Sequence, residues 1–230
     1  MNIRQLFDYD TWTYTYLIWD EDTKEAAVID SVLEKVDRDE QHIKELGLNV
    51  KYLLETHIHA DHITGAGPLR KRIGGQLVVH KNSGSECADI LAVDGDVFKL
   101  GNQEIHVLHT PGHTNNDITY KIDGAVFTGD TLLVRDCGRT DFQLGDNESM
   151  YHSLTEILFK LPEDTMVFPA HDYKGFSQST IGEEKTFNVR AGSNKSFEDF
   201  STIMDNLNLP NPKRIDIAVP GNLKCGNLDD

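Results

Sequence analysis

Basic side chains are in short supply. Lys and Arg number 22 against 38 Asp and Glu, a formal net charge of −16 at pH 7. Such a chain is a poor partner for nucleic acid, whose phosphates demand Lys- and Arg-rich surfaces, and for an anionic membrane surface. Most of the acidity reads as a solvated, solubilising surface, with part of it available to a bound cation. Cysteine is scarce too. Cys87, Cys137 and Cys225 are an odd count, far apart, with no CxxC spacing. The expectation is no disulfide framework, no zinc knuckle and a reducing compartment. No apolar run approaches the length of a membrane span. The first ten residues, MNIRQLFDYD, have neither the apolar core of a signal peptide nor the Arg/Ser-rich character of a transit peptide. These absences together predict a soluble cytoplasmic protein.

What is present is an interleaving of strands and helices. Thr13–Asp20 and Glu25–Asp30 are β-rich runs joined by the polar turn EDTK, which predicts a hairpin. Lys35–Leu46 has helical spacing and stops at Gly47. Strands are expected at Val50–Glu55, Gln76–His80, Glu104–Leu108, Asp117–Ile122, Ala125–Thr128 and Thr165–Phe168. Helices are expected at Gly67–Ile73, Glu148–Leu161, Glu183–Arg190 and Phe197–Leu207, followed by a Pro-rich, irregular tail. Hairpins beside helical crossovers mean an α/β fold with mixed sheets, and no linker divides it.

The stretch Thr56–Gly65 reads THIHADHITG and follows a strand directly. A loop at a strand end turns several side chains inward together, whereas a strand alternates them between faces. His57 and His59 can reach one point, Asp61 and His62 a neighbouring one. Three more strand ends carry similar groups: His113 in TPGHT, Asp130 in FTGDT and His171 in FPAHDY. Imidazoles and carboxylates without a thiolate suit a borderline divalent metal such as zinc or iron, and they exclude the closed sulfur site of a structural zinc. A site with open positions is catalytic. The remaining histidines (His42, His80, His106, His109 and His152) have no such context and read as surface or hydrogen-bonded core residues. By residue type alone, one metal with outer-sphere partners and a dinuclear zinc site are equally satisfied.

His57-x-His59-x-Asp61-His62 followed by His113, Asp130 and His171 closely resembles the motif set of the metallo-β-lactamase superfamily. That resemblance implies an αββα sandwich, two mixed β-sheets flanked by helices, with the metal at one edge of the sheets. The expected organisation is one such domain over 1–230, with a C-terminal extension from about 175. Between the ligands, Cys137-Gly138-Arg139-Thr140-Asp141-Phe142-Gln143 is similar to the signature of the persulfide dioxygenases. So are His171–Glu184, Asn188–Arg190 and the stretch NLNLPNPKRIDIAVPGNLKCG.

This second resemblance spans nearly the whole chain. It implies oxidation of glutathione persulfide by O2 to sulfite and glutathione, and a homodimer. It also implies one non-haem Fe(2+) per chain on His57, His113 and Asp130, which would be both metal-binding and catalytic. His59, Asp61, His62 and His171 would then act from outside the coordination sphere or hold a second metal, with one or two zinc ions as the alternative. Tyr173 and Arg190 match positions that hold glutathione in that group. Cys137 reads equally as a small buried residue or as a thiol beside the site. Arg139, Thr140 and Asp141 are expected to fix the loop by charge-assisted hydrogen bonds.

The competing reading is a hydroxyacylglutathione hydrolase of the glyoxalase II type, with two metals and an activated water. Such enzymes carry a further helical C-terminal region for which little sequence follows His171. A β-lactamase would need an export signal, and a decayed metal scaffold would lack ligands that are all present here.

Overall fold

Period-two alternation sets the layers of this chain. In Thr13–Trp19, Tyr16 and Ile18 face one way, while Leu17 and Trp19 face the other. Both faces are buried, so the sheet must be covered on both sides. The computed structural model describes residues 1–227 and contains two six-stranded sheets.

The first sheet runs in sequence order: β1 (Asn2–Asp8), β2 (Thr13–Trp19), β3 (Glu25–Ile29), β4 (Asn49–Leu54), β5 (Gln76–His80) and β6 (Ile90–Ala92). Strands β1 to β3 are antiparallel, and β3 to β6 are parallel. Helices α1 (Val36–Glu45) and α2 (Ala66–Ile73) make the crossovers β3–β4 and β4–β5. They bury Val36, Ile43 and Leu69 against Leu17, Val28, Leu53 and Leu77.

The second sheet contains β7 (Val97–Leu100), β8 (Gln103–His109), β9 (Ile118–Ile122), β10 (Ala125–Gly129), β11 (Met166–Pro169) and β12 (Ser179–Thr180). Its order is β12-β11-β10-β9-β8-β7, antiparallel except for β10–β11. Between the sheets Tyr16, Ile29, Leu54 and Val78 meet Ile105, Val107, Tyr120 and Phe127. The outer face, with Val126 and Val167, is covered by α3 (Asn147–His152), α4 (Ile181–Phe187) and α5 (Phe197–Asp205) through Met150, Ile181 and Phe200. The result is helix, sheet, sheet, helix: the αββα sandwich.

Two expectations are corrected. Cys87 and Cys225 form a disulfide across a sequence separation of 138 residues. Cysteine spacing cannot reveal a pair that only tertiary folding brings together, so the argument for a reducing compartment loses its basis. The tail is also not irregular throughout. Ile215–Leu223 forms a helix, α6, in spite of Pro220. Pro220 forgoes one amide bond, and three prolines within Pro210–Pro220 mask the helical segment in the sequence. No helix among the described residues is long and apolar enough to cross a membrane.

Candidate metal centre

Every group of the centre sits just beyond the C-terminal end of a strand. Asp30 follows β3, His57 to His62 follow β4, His113 follows β8, Asp130 follows β10 and His171 follows β11. Parallel neighbours within each sheet bring these ends to one edge of the sandwich. Gly129 makes the approach of the sheets possible. It has φ +56°, and a Cβ there would stand 2.8 Å from the Thr56 side chain. Only glycine meets both demands at little cost.

His57, His113 and Asp130 form a group whose ligand atoms all lie within 4.8 Å of one another. Two hydrogen bonds aim the imidazoles. The Thr56 hydroxyl donates to Asp30 Oδ2 at 2.8 Å, so at 3.0 Å it accepts from His57 Nδ1. His113 Nδ1 donates to the Arg139 carbonyl at 2.7 Å. Each bond directs the ring's Nε2 toward the centre as the atom left for a metal. Burial, reinforced by the neighbouring imidazoles, holds His57 and His59 well below the ordinary histidine value and keeps them neutral.

His59, Asp61 and His62 form a second group, and Asp30, Glu55 and His59 a third. His62 Nδ1 lies 3.2 Å from Asp61 Oδ2. His171 Nδ1 donates to the Trp12 carbonyl at 3.2 Å, and its Nε2 lies 3.6 Å from Asp61 Oδ2 and 3.7 Å from Asp130 Oδ1. His59 Nδ1 and Nε2, His62 Nε2 and Asp130 Oδ1 are buried without a hydrogen-bond partner. Orphaned donors and acceptors are costly in a protein interior. The Asp130 carboxylate fits a cation held with His57 and His113, and the nitrogens of His59 and His62 fit bound water or a second ion beside it.

The remaining expected residues fall into two sets. Tyr173 is exposed at the mouth, its ring stacked on His171 at 6.1 Å and 6.2 Å from the ring of Trp12. Arg190 is engaged within the fold. It is buried, its Nε pairs with Asp136, and its Nη1 faces the sulfurs of Cys137 and Met204. That ion pair ties Arg190 to the loop that follows Asp130.

That loop is tied down throughout. Arg139 grips Asp141 with two bonds of 2.6 and 2.7 Å, donates to the Pro210 carbonyl at 2.7 Å and lies over the Phe142 ring. Thr140 donates to Asn147 at 2.5 Å. A Cβ on Gly138 would stand 2.9 Å from His113 Nδ1, so the glycine of the Cys-Gly-Arg run admits the ligand ring. Cys137 is buried, and burial pushes its thiol up to about 12. Thiol reactivity requires the thiolate. Iodoacetamide at pH 7.5 should therefore leave Cys137 unlabelled in the folded chain and label it after denaturation, as read by peptide mass mapping. Rapid native labelling would contradict this burial.

Sequence reasoning missed the supports. Asp30 accepts from the Thr56 amide at 2.7 Å and lies 3.2 Å from His59 Nε2. Asn116 Oδ1 accepts from the Ile58 amide at 3.0 Å. Asp117 accepts from the Thr114 amide and hydroxyl at 2.6 and 2.8 Å, while burial lifts its carboxyl to about 6. Asp30 was detectable: it ends the run EAAVID as Asp130 ends AVFTGD.

A strand-end cluster of this composition on an αββα sandwich defines a class. The Metallo-beta-lactamase superfamily model matches residues 13–171, and the chain belongs to that superfamily. It is 48% identical to human "persulfide dioxygenase ETHE1, mitochondrial" over 227 residues, covering 97% of this chain and 88% of the human protein. The crystal structure of ETHE1 from Myxococcus xanthus superposes with a TM-score of 0.95 at 52% identity, over 98% of this chain and all of that one (100%). A metallo-β-lactamase from Staphylococcus aureus superposes with a TM-score of 0.88 at 25% identity, over 100% of this chain and 74% of that one. Within the superfamily the chain falls in the ETHE1 group.

Proposed function

We propose that the protein is a persulfide dioxygenase that oxidises glutathione persulfide with O2 at one iron held by His57, His113 and Asp130. One observation carries the choice of site. His57, His113 and Asp130 form a two-His, one-carboxylate group, as His59, Asp61 and His62 also do. Only in the first are both imidazoles aimed through Nδ1, by the Thr56 hydroxyl and the Arg139 carbonyl, while neither nitrogen of His59 has a hydrogen-bond partner. The similarity to human and bacterial ETHE1 supports the reaction. Iron(II) bound to such a triad is redox-active and keeps positions open for a thiol-derived sulfur and O2, which zinc cannot use for oxidation.

The balance is one persulfide, one O2 and one water to one thiol and one sulfite. The outer sulfur gives up four electrons to O2. The chain's contribution is placement. Thr56 and the Arg139 carbonyl fix the two imidazoles, and their bonds leave no freedom of tautomer. Asp61, His62 and His171 line the adjacent side, where they orient bound water. Tyr173 offers its ring and hydroxyl to the glutathionyl part at the mouth.

The test is anaerobic purification, elemental metal counting, and O2 uptake with glutathione persulfide beside hydrolysis of S-lactoylglutathione. One iron per chain with O2 uptake is expected. Two metals per chain with thioesterase activity and no O2 uptake would overturn the proposal in favour of a hydroxyacylglutathione hydrolase.

A further inference from the structure

Asn222 lies on α6, about 160 residues along the chain from the metal loop, yet it is buried against it. Its Nδ2 donates to the carbonyls of His59 and His62, both at 2.9 Å, and its Oδ1 accepts from the Thr64 amide at 2.8 Å. One side chain thus satisfies three buried backbone groups across the segment His59–Thr64. Backbone groups in a buried loop need such partners, because no ladder supplies them. No other residue type offers two amide donors and a carbonyl acceptor in so short a side chain except Gln, which is one methylene longer.

What fixes α6 is the next turn of chain. Cys225, three residues on, is bonded to Cys87 in the connection between β5 and β6. The Gly67 amide donates to the Cys225 carbonyl at 3.0 Å, and the Glu86 amide to the Leu223 carbonyl at 2.9 Å. Gly226, with φ +75°, lies so close to the Thr64 carbonyl that a Cβ would not fit. The tail is therefore laid along the metal loop and stapled at the point where Asn222 enters it.

We propose that Asn222 is a positioning residue for the loop carrying His57 to His62, and that the Cys87–Cys225 disulfide locks it in place. Retention of metal then depends on the thiol redox state. In the opening step two thiols of a donor supply two electrons and two protons. They leave joined as a disulfide, while Cys87 and Cys225 are released as thiols. With the staple open, the covalent tie that holds the end of α6 against the loop is lost, and the clamp opens more often. The inference needs a metal at the site and is independent of the reaction carried out there.

The experiment follows metal release from the Zn2+-loaded protein into excess chelator, well below the melting temperature. Asn222→Ala should release zinc about 10–100-fold faster, the loss seen when an outer partner of a ligand is removed. Cys87→Ser should act in the same direction by less. The double variant should be no faster than Asn222→Ala alone, because both act through one clamp. Asn222→Asp keeps the acceptor for Thr64 but sets a carboxylate oxygen against the His59 and His62 carbonyls, so it should release zinc at least as fast as Asn222→Ala. Additive effects, or zinc release unchanged in either single variant, would overturn the proposal. Should Asn222→Ala fail to fold, amide hydrogen exchange over residues 59–64 of the wild-type zinc form decides. It must rise when the disulfide is reduced, and unchanged exchange overturns the proposal. Failure of O2 uptake with persulfide would leave these outcomes untouched and would count against the proposed reaction alone.

Discussion

Asp130→Ala is expected to give a folded chain that purifies without metal and shows no O2 uptake with glutathione persulfide. Asp130 is the only carboxylate in the triad with His57 and His113. Its Oδ2 lies 3.5 Å from His113 Nε2, and its Oδ1 is buried with no hydrogen-bond partner. Removing it takes away the single anionic donor and leaves two imidazoles, which hold a divalent ion poorly. The loss should exceed the about 10–100-fold typical of an outer partner. Folding should survive, because the side chain makes no hydrogen bond that the sandwich needs. Elemental analysis of the anaerobically purified variant reads the metal, and circular dichroism reads the fold. Retention of one metal per chain would remove Asp130 from the ligand set.

The contrast with the supports shows what a sequence discloses. HxHxDH is contiguous, and each further donor follows a strand whose β-rich run is visible, so His57, His59, Asp61, His62, His113, Asp130 and His171 can be assembled from local pattern alone. The six assigned strands and the hairpin are legible for the same reason. β1, β6, β7 and β12 are not: Asn2–Asp8 carries polar residues on both faces (Asn2, Arg4 and Asp8 on one, Gln5 on the other), and the other three strands are only two to four residues long. Glu148–Leu161 reads as one amphipathic helix, yet it is α3 followed by a wider and then a tighter turn. Thr155 bonds back to the Tyr151 carbonyl at 2.8 Å, and Ser153 reaches the Pro111 carbonyl at 2.7 Å. Hydroxyls that compete for the backbone distort the winding. Asn222, the Cys87–Cys225 pair and the engagement of Arg190 by Asp136 are contacts between distant segments. Nothing local to those residues points to their partners.

Asp30→Ala should cost the most stability of any single change at the centre, although Asp30 binds no metal in the proposed scheme. The residue is buried, and it accepts from the Thr56 amide at 2.7 Å and from the Thr56 hydroxyl at 2.8 Å. It also stands 3.2 Å from His59 Nε2. Alanine would leave a buried amide and a buried hydroxyl without partners, at about 1–3 kcal/mol each. It would also free the Thr56 hydroxyl to turn away from His57. Asp30 has φ +51°, a left-handed conformation that Asp tolerates better than Ala. The sum is about 3–5 kcal/mol, a fall in melting temperature of roughly 10 °C for a domain of this size. Asp30→Gly separates the two causes. It relieves the backbone while losing the same hydrogen bonds, so it should melt above Asp30→Ala and still well below wild type. Thermal melts of the metal-free proteins measure this without a contribution from the ion, and zinc affinity should fall in parallel because His57 loses its orienting bond. A metal-free Asp30→Ala that melts within about 1 °C of wild type would show that the motif loop is held by its other contacts, Asn116 and Asn222, and not by Asp30.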